Sequence, residues 1–170
     1  MPGFSAGENM AISLLLQGLS LPEAKERVTS VMSRLSLNND IFDKKVTEIS
    51  GGQRQRLAFV RAVTSEYSIL FGDEPTGNLD PSTAAELLNI LKEMIKDRHK
   101  TAVLVSHDLN LALRFADLIV PITSIDDCSS DQSHGLISSD RVIMRTSNGW
   151  TDVKSNSIAD PLDLLINYLR

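Results

Sequence analysis

The chain has 170 residues, 42% apolar, 23% charged and 5% aromatic, and its 17 Lys+Arg against 22 Asp+Glu leave a formal charge of −5. That length and apolar fraction suit one domain, or a piece of a larger one, around a buried core, and exclude disorder over the whole chain. The acidic balance excludes binding of nucleic acid or anionic lipid by bulk electrostatics, since both need clustered positive charge, and leaves open only a local site.

The single cysteine, Cys128, cannot make an internal disulfide and stands in the polar run Asp126-Asp127-Cys128-Ser129-Ser130. It reads as an inert surface thiol in a reducing compartment. The apolar stretch over residues 11–21 is broken by Ser13, Gln17, Gly18 and Ser20, well short of the roughly 20 residues of a spanning helix. Met1-Pro2-Gly3-Phe4 lacks the positive start of a signal peptide. Work at a membrane is therefore expected to pass through a partner.

Taken in chain order, the first third reads as helical. Ser20, Pro22 and Glu23 supply a cap, an early proline and a capping-box acid, and Val28, Val31, Met32 and Leu35 recur at helical spacing, which predicts an amphipathic helix over 22–35. After the polar connection Asn38-Asn39-Asp40, Ser50-Gly51-Gly52-Gln53 opens a second helix carrying Leu57, Phe59, Val60 and Val63. Ser68-Ile69-Leu70-Phe71-Gly72 is a continuous apolar run, the form of a strand buried on both faces of a parallel sheet. Asp80-Pro81 starts a helix with the stripe Leu87, Leu88, Leu91, Met94 and Ile95. Residues 101–105 form a second strand, Asp108 caps a helix over 109–116, and Leu118-Ile119-Val120 reads as a third strand, so the β-α-β-α-β order predicts a parallel sheet. Residues 122–139, rich in Ser, Asp and Gly, read as a loop. Residues 141–145 and 150–153 read as strands about an Asn148-Gly149 turn, and Asp160-Pro161 opens a short terminal helix.

Three segments carry chemistry. Glycines that admit a ligand to the backbone, a helix amino end and a serine hydroxyl make Ser50-Gly51-Gly52-Gln53 suited to a phosphate; the alternative is an ordinary flexible loop. Asp73 and Glu74 leave the first strand at the edge where parallel sheets bind ligands. There Asp73 can hold Mg²⁺ and Glu74 can orient or deprotonate a water, or both acids simply cap a loop. His107, leaving the next strand, can reach a terminal phosphate or play a structural part. His99 and His134 are read as structural.

In combination these segments resemble the nucleotide-binding domain of an ABC ATPase over about residues 2–120. Residues 49–53 resemble its signature motif, 69–74 its Walker B strand with the catalytic glutamate, Gly77-Asn78-Leu79-Asp80 its D-loop, and His107 its switch histidine. Glu74-Pro75-Thr76-Gly77-Asn78-Leu79-Asp80, with Ser5-Ala6-Gly7-Glu8-Asn9-Met10, is similar to the lipoprotein-releasing and macrolide-export branch. The resemblance implies an α/β, P-loop NTPase-like fold lacking its amino-terminal part. A partial ATPase domain over 1–121, with a helical subdomain at about 10–50 and a β-α-β core at about 51–121, would precede an atypical tail over 122–170. It implies ATP and Mg²⁺ as cofactors, Asp73 on the metal side, Glu74 as base and His107 as phosphate sensor. Ser50, Gly51, Gly52 and Gln53 would contact nucleotide across a dimer of ATPase subunits, and Asp80 would be a further nucleotide-binding residue. An integral membrane permease, met by the helical part over 10–37, would hold the subunit at the cytoplasmic face of the inner or plasma membrane, with no nucleic-acid partner.

The family grips ATP with a G-x-x-x-x-G-K-[ST] loop. No Gly-Lys pair occurs in this sequence, and Gln17, inside an apolar run, is not the family's Q-loop glutamine. The expectation is a chain that starts after the phosphate loop: a fragment or misplaced start, a product of gene decay, or a short subunit lending its signature to another chain. Such a loss would expose sheet and helix faces that the rest of the domain buries. The rival functions are a catalytically silent subunit and a soluble ABC ATPase unconnected with transport.

Overall fold

The first two helices are opened by the same chemistry. At α1 (Ala6–Leu16), Ser5 Oγ accepts from the Glu8 amide at 3.1 Å while Glu8 Oε2 accepts from the Ser5 amide at 2.7 Å. At α2 (Leu21–Arg34), Glu23 Oε2 accepts from the Ser20 amide at 2.8 Å, and Pro22 sits in the first turn. Such reciprocal bonds satisfy amide donors that a helix start leaves without intrahelical acceptors. This computed structural model describes residues 4–98, 100–126 and 133–169, and the chain divides into two compact units, one ending at Ser106 and the other starting at His107. His99 and Cys128 lie outside the described residues.

In the first unit α1 and α2 pack with α3 (Gly51–Thr64). Met10, Leu14, Val28, Met32, Val60 and Val63 are buried there. Gly7 is pressed against the aromatic ring of Phe42, so closely that a Cβ built on it would lie 2.2 Å from ring carbons. Helix α4 (Pro81–Arg98) buries Ala84, Leu87, Leu88, Ile90 and Leu91. Met94 and Ile95, expected in the stripe, are half-buried, so the covered face lies toward the amino end of the helix.

Strands β1 (Ile69–Asp73) and β2 (Thr101–Val105) pair in parallel with Asp73 opposite Val105. Two expectations bear on this sheet, burial on both faces from the apolar run and exposed sheet faces, and the structure follows the second. Leu70, Gly72, Ala102 and Leu104 are half-buried, whereas Ile69, Phe71, Val103 and Val105 on the other face are 52%, 74%, 47% and 52% exposed. The apolar run reports strand-forming residues, and it does not by itself supply a layer to cover them.

The second unit holds α5 (Leu109–Phe115), β3 (Leu118–Ile119), β4 (Ile122–Asp126), β5 (Ser133–Ile137), β6 (Ile143–Thr146), β7 (Gly149–Asp152), β8 (Ser157–Ile158) and α6 (Pro161–Tyr168). The predicted third parallel strand, β3, instead runs antiparallel to β6, in a sheet ordered β3-β6-β7-β8. Its Ile119 packs with Leu109, Leu113 and Ala116 on the core of Ile143, Trp150 and Leu165. The stretch read as a loop over 122–139 contains the antiparallel pair β4 and β5, because Ile122, Thr123, Leu136 and Ile137 favour extended backbone despite the polar residues between them. The predicted turn is present: Gly149, at φ +116°, starts β7 opposite Thr146. Asp108 and Asp160 cap α5 and α6 as expected. Among the described residues no helix is long and apolar enough to cross a membrane.

Candidate functional site

Helix α3 begins at the glycine pair. Ser50 Oγ accepts from the Gln53 amide at 3.2 Å and Gln53 Oε1 accepts from the Ser50 amide at 2.9 Å. The cap leaves the Ser50 hydroxyl hydrogen available to a ligand, since the oxygen serves here as acceptor. A Cβ on Gly52 would meet nothing within 4 Å, and one on Gly51 only the end of the Arg54 side chain at 3.9 Å. Neither glycine has a φ in the left-handed region. Within this chain, then, neither packing nor backbone conformation requires glycine at these first two positions of the helix. What a side chain there would obstruct is an approach from outside.

The parallel ladder carries the chain from β1 straight into the second element of the site. Asp73, the last residue of β1, is exposed, and the Glu74 amide extends the ladder by donating to Val105 O at 3.0 Å. Glu74 then adopts φ +44°, one of three described non-glycine residues in the left-handed region. Such a backbone costs a non-glycine residue on the order of 1–3 kcal/mol and persists only where neighbours enforce it. Pro75 adds to the conflict, because a residue before proline is pushed toward extended backbone. Gly77 N donates to Glu74 O at 3.2 Å, and the Gln55 side-chain amide on α3 donates to Glu74 O at 3.3 Å and Pro75 O at 2.9 Å. A cavity of about 220 Å³, lined among others by Gln55, Phe59, Leu70, Asp73, Glu74 and Leu104, lies beside this turn.

Gln55 was absent from the predicted set. A polar residue between two arginines on a helix gives no sign in sequence of the carbonyls that its amide will meet. The two remaining predicted residues stand differently. Asp80 is exposed and its carboxylate is occupied as the cap of α4: Oδ1 accepts from the Ser82 hydroxyl at 2.6 Å and from the amides of Ser82 and Thr83 at 3.1 and 3.0 Å. These bonds, the Ser82 hydroxyl foremost, hold its carboxyl well below the usual range. His107 is exposed, two residues past the end of β2, and is the first residue of the second unit. The first unit thus brings Asp73 and Glu74 together and links their turn through Gln55 to the helix that starts at Ser50.

A divalent ion of the Mg²⁺ kind fits this donor set. Among the described residues no group of three His, Cys, Asp or Glu could form an all-protein cage. Mg²⁺ typically takes one or two carboxylates and completes its shell with water and substrate phosphates. The exposed Asp73 carboxylate at the sheet edge has the chemistry such a donor needs.

Comparison with known proteins gives the same direction. The ABC transporter family profile matches residues 1–77. The chain is 40% identical over 114 residues to the lipoprotein-releasing system ATP-binding protein LolD of Hahella chejuensis, covering 67% of this chain and 49% of the relative. It is 35% identical over 120 residues to the LolD of Legionella pneumophila, covering 71% and 52%. The fold matches the dimeric structure of MJ0796, a bacterial ABC transporter cassette, with a TM-score of 0.64 and 32% identity over 71% of this chain and 53% of that one. A structure of the same cassette in a post-hydrolysis state, bound to ADP and Pi, matches equally. The chain spans about half the length of the curated relatives it matches.

Proposed function

We propose that this chain, similar over about 70% of its length to part of an ABC ATPase domain, serves as the ATP-binding subunit of a transporter, coupling binding and hydrolysis of Mg-ATP to movement of a substrate through a separate membrane permease. The observation that carries the reading is Glu74, held in a left-handed backbone next to Asp73 at the carboxyl edge of the parallel strands. Strain of this kind clusters at functional sites, and the carboxyl edge of parallel strands is where ligands bind. Glu74 would accept the proton of the attacking water and Asp73 would hold Mg²⁺, which supplies charge neutralisation at the phosphate oxygens. Ser50, Gly51 and Gly52 would offer a hydroxyl, open backbone and a helix amino end to a nucleotide held by a second ATPase subunit. The open glycines, which this chain's packing leaves unexplained, support that reading. His107 would contact the terminal phosphate, and Asp80 would act from the D-loop through the backbone that its cap orders.

The test is Mg²⁺-dependent ATP turnover and ATP binding by the full chain together with its partner ATPase and permease subunits. Glu74→Gln abolishes turnover and retains ATP binding if the reading holds. An assembly with neither turnover above background nor saturable ATP binding overturns it. A second reading, a subunit that acts only by lending its signature to another chain, is favoured by the open space around Gly51 and Gly52, where a Cβ would meet at most the end of the Arg54 side chain. In that case Glu74→Gln changes nothing, while Ser50→Ala lowers turnover at the partner's site.

A further inference from the structure

We infer that Gln55 is a positioning residue, which holds the Glu74-Pro75 turn in its left-handed conformation and ties the base to the helix that begins with the signature. Its catalytic meaning rests on the proposed function; its positioning role does not. The Gln55 amide nitrogen faces two successive main-chain carbonyls, Glu74 O at 3.3 Å and Pro75 O at 2.9 Å. Carbonyls only accept, so the side chain must present its NH₂ to them. The cost of that orientation falls on its Oε1, which is buried with no hydrogen-bond partner among the described residues. A glutamine placed there for packing alone would not need to fix its amide on two acceptors and leave its own acceptor unmet.

The geometry also explains how Glu74 can persist at φ +44° ahead of a proline. Its amide is fixed to β2 through Val105 O, and its carbonyl is fixed from two sides, by the Gly77 amide and by Gln55. Pro75 has no amide hydrogen with which to anchor itself, so Gln55 supplies a bond to that residue's remaining polar group, its carbonyl. Gln55 lies in α3 just past Ser50, Gly51, Gly52 and Gln53. The element that would touch a partner's nucleotide and the acid that would act in this chain's own site therefore share one side-chain bridge.

Hydrogen exchange on the full chain tests the positioning, with the amides of α2 as the internal reference. Gln55→Leu keeps the volume and removes the donor, and the Glu74 and Gly77 amides are expected to exchange on the order of tenfold faster, the loss of one net hydrogen bond, with α2 unchanged. Gln55→Glu has a donor only when protonated. Its protection at Glu74 and Gly77 should be lost at neutral pH and recover below a carboxyl pKa of about 4.3, a pH profile that a packing role would not produce. Wild-type protection in Gln55→Leu, or the same protection in Gln55→Glu on both sides of that pH, overturns the inference. In the assembled ATPase, Gln55→Leu lowers kcat while KM for Mg-ATP is retained; an unchanged kcat removes the link to the base. A wild-type assembly without turnover would sink the proposed function instead, and the exchange result would still decide the role of Gln55.

Discussion

The helices and the sheet of the first unit are closed to different degrees. Between α1, α2 and α3 the core is sealed, with Leu14, Val28 and Val60 all at 0% exposure, while Phe71 on β1 is 74% exposed and is flanked by other apolar residues on the same face. Every residue to which chemistry is assigned in this unit lies away from the sealed core: the open glycines at the start of α3, and Asp73 and Glu74 at the sheet edge. Burial maintains the scaffold, and the surfaces meant for something else are left uncovered. A contiguous apolar face of this kind marks a surface that interacts or aggregates.

The largest test of that contrast compares two apolar truncations. Leu14→Ala should cost about 2–5 kcal/mol in urea denaturation, as expected when a buried leucine leaves a cavity. Phe71→Ala, although it removes more atoms, should cost well under the roughly 3–5 kcal/mol of a buried phenylalanine, because most of that ring is already in water. Equal losses would break the contrast and mean that the sheet face is covered in solution. The next effect in size is at Gly7. Its Cβ would overlap the Phe42 ring, so Gly7→Ala should destabilise by about 1–3 kcal/mol through overpacking.

Gly51→Ala and Gly52→Ala sharpen the contrast from the other side. With space for a Cβ at both positions, each substitution should leave stability unchanged or raise it by up to about 1 kcal/mol. Under the proposed function, turnover in the assembly with its partner subunits should nonetheless fall. A glycine that stabilises when replaced and inactivates when replaced serves a ligand outside its own chain. Destabilisation at these positions, measured by the same denaturation, would return them to an ordinary structural role.

The parts of this molecule legible in the sequence are those fixed by neighbours along the chain. The cap of α2 at Ser20 and Glu23, the start of α3 at Ser50, the Asp108 and Asp160 caps and the turn before Gly149 each depend on residues within a few positions, and each is where the pattern puts it. What the pattern missed depends on distant partners. β3 shows a strand but not that β6, far along the chain, will pair with it, and the apolar run of β1 taken alone points to burial on both faces where one face is uncovered. In the candidate site the same division holds. Asp73 and Glu74 are adjacent acids after a strand and are visible as such, whereas Gln55 matters only through carbonyls 19 and 20 positions away. The strain at Glu74 is a property of the folded turn and has no local sequence signal.

The smallest effect expected is at Asp80, and it separates a cap from a ligand-binding acid. Its carboxylate accepts from Ser82 and Thr83 and is held below the usual carboxyl range. A carboxyl whose folded value is depressed adds stability above its unfolded pKa of about 3.9 and loses it as the pH falls further, toward the folded value. Asp80→Asn keeps a capping oxygen and removes the titration. The variant should therefore melt slightly below the wild type at pH 7, and the difference should shrink when melting is repeated below pH about 3.9. Asp40, Asp140 and Asp152 are also held low by hydrogen bonds, but they are common to both proteins and drop out of the difference. A difference that stays constant across that range would mean the Asp80 charge contributes nothing to the cap, leaving it available for a nucleotide or a partner's loop. A difference that closes assigns the charge to the start of α4, so that any part Asp80 takes in ATP turnover must come from the backbone its cap puts in order.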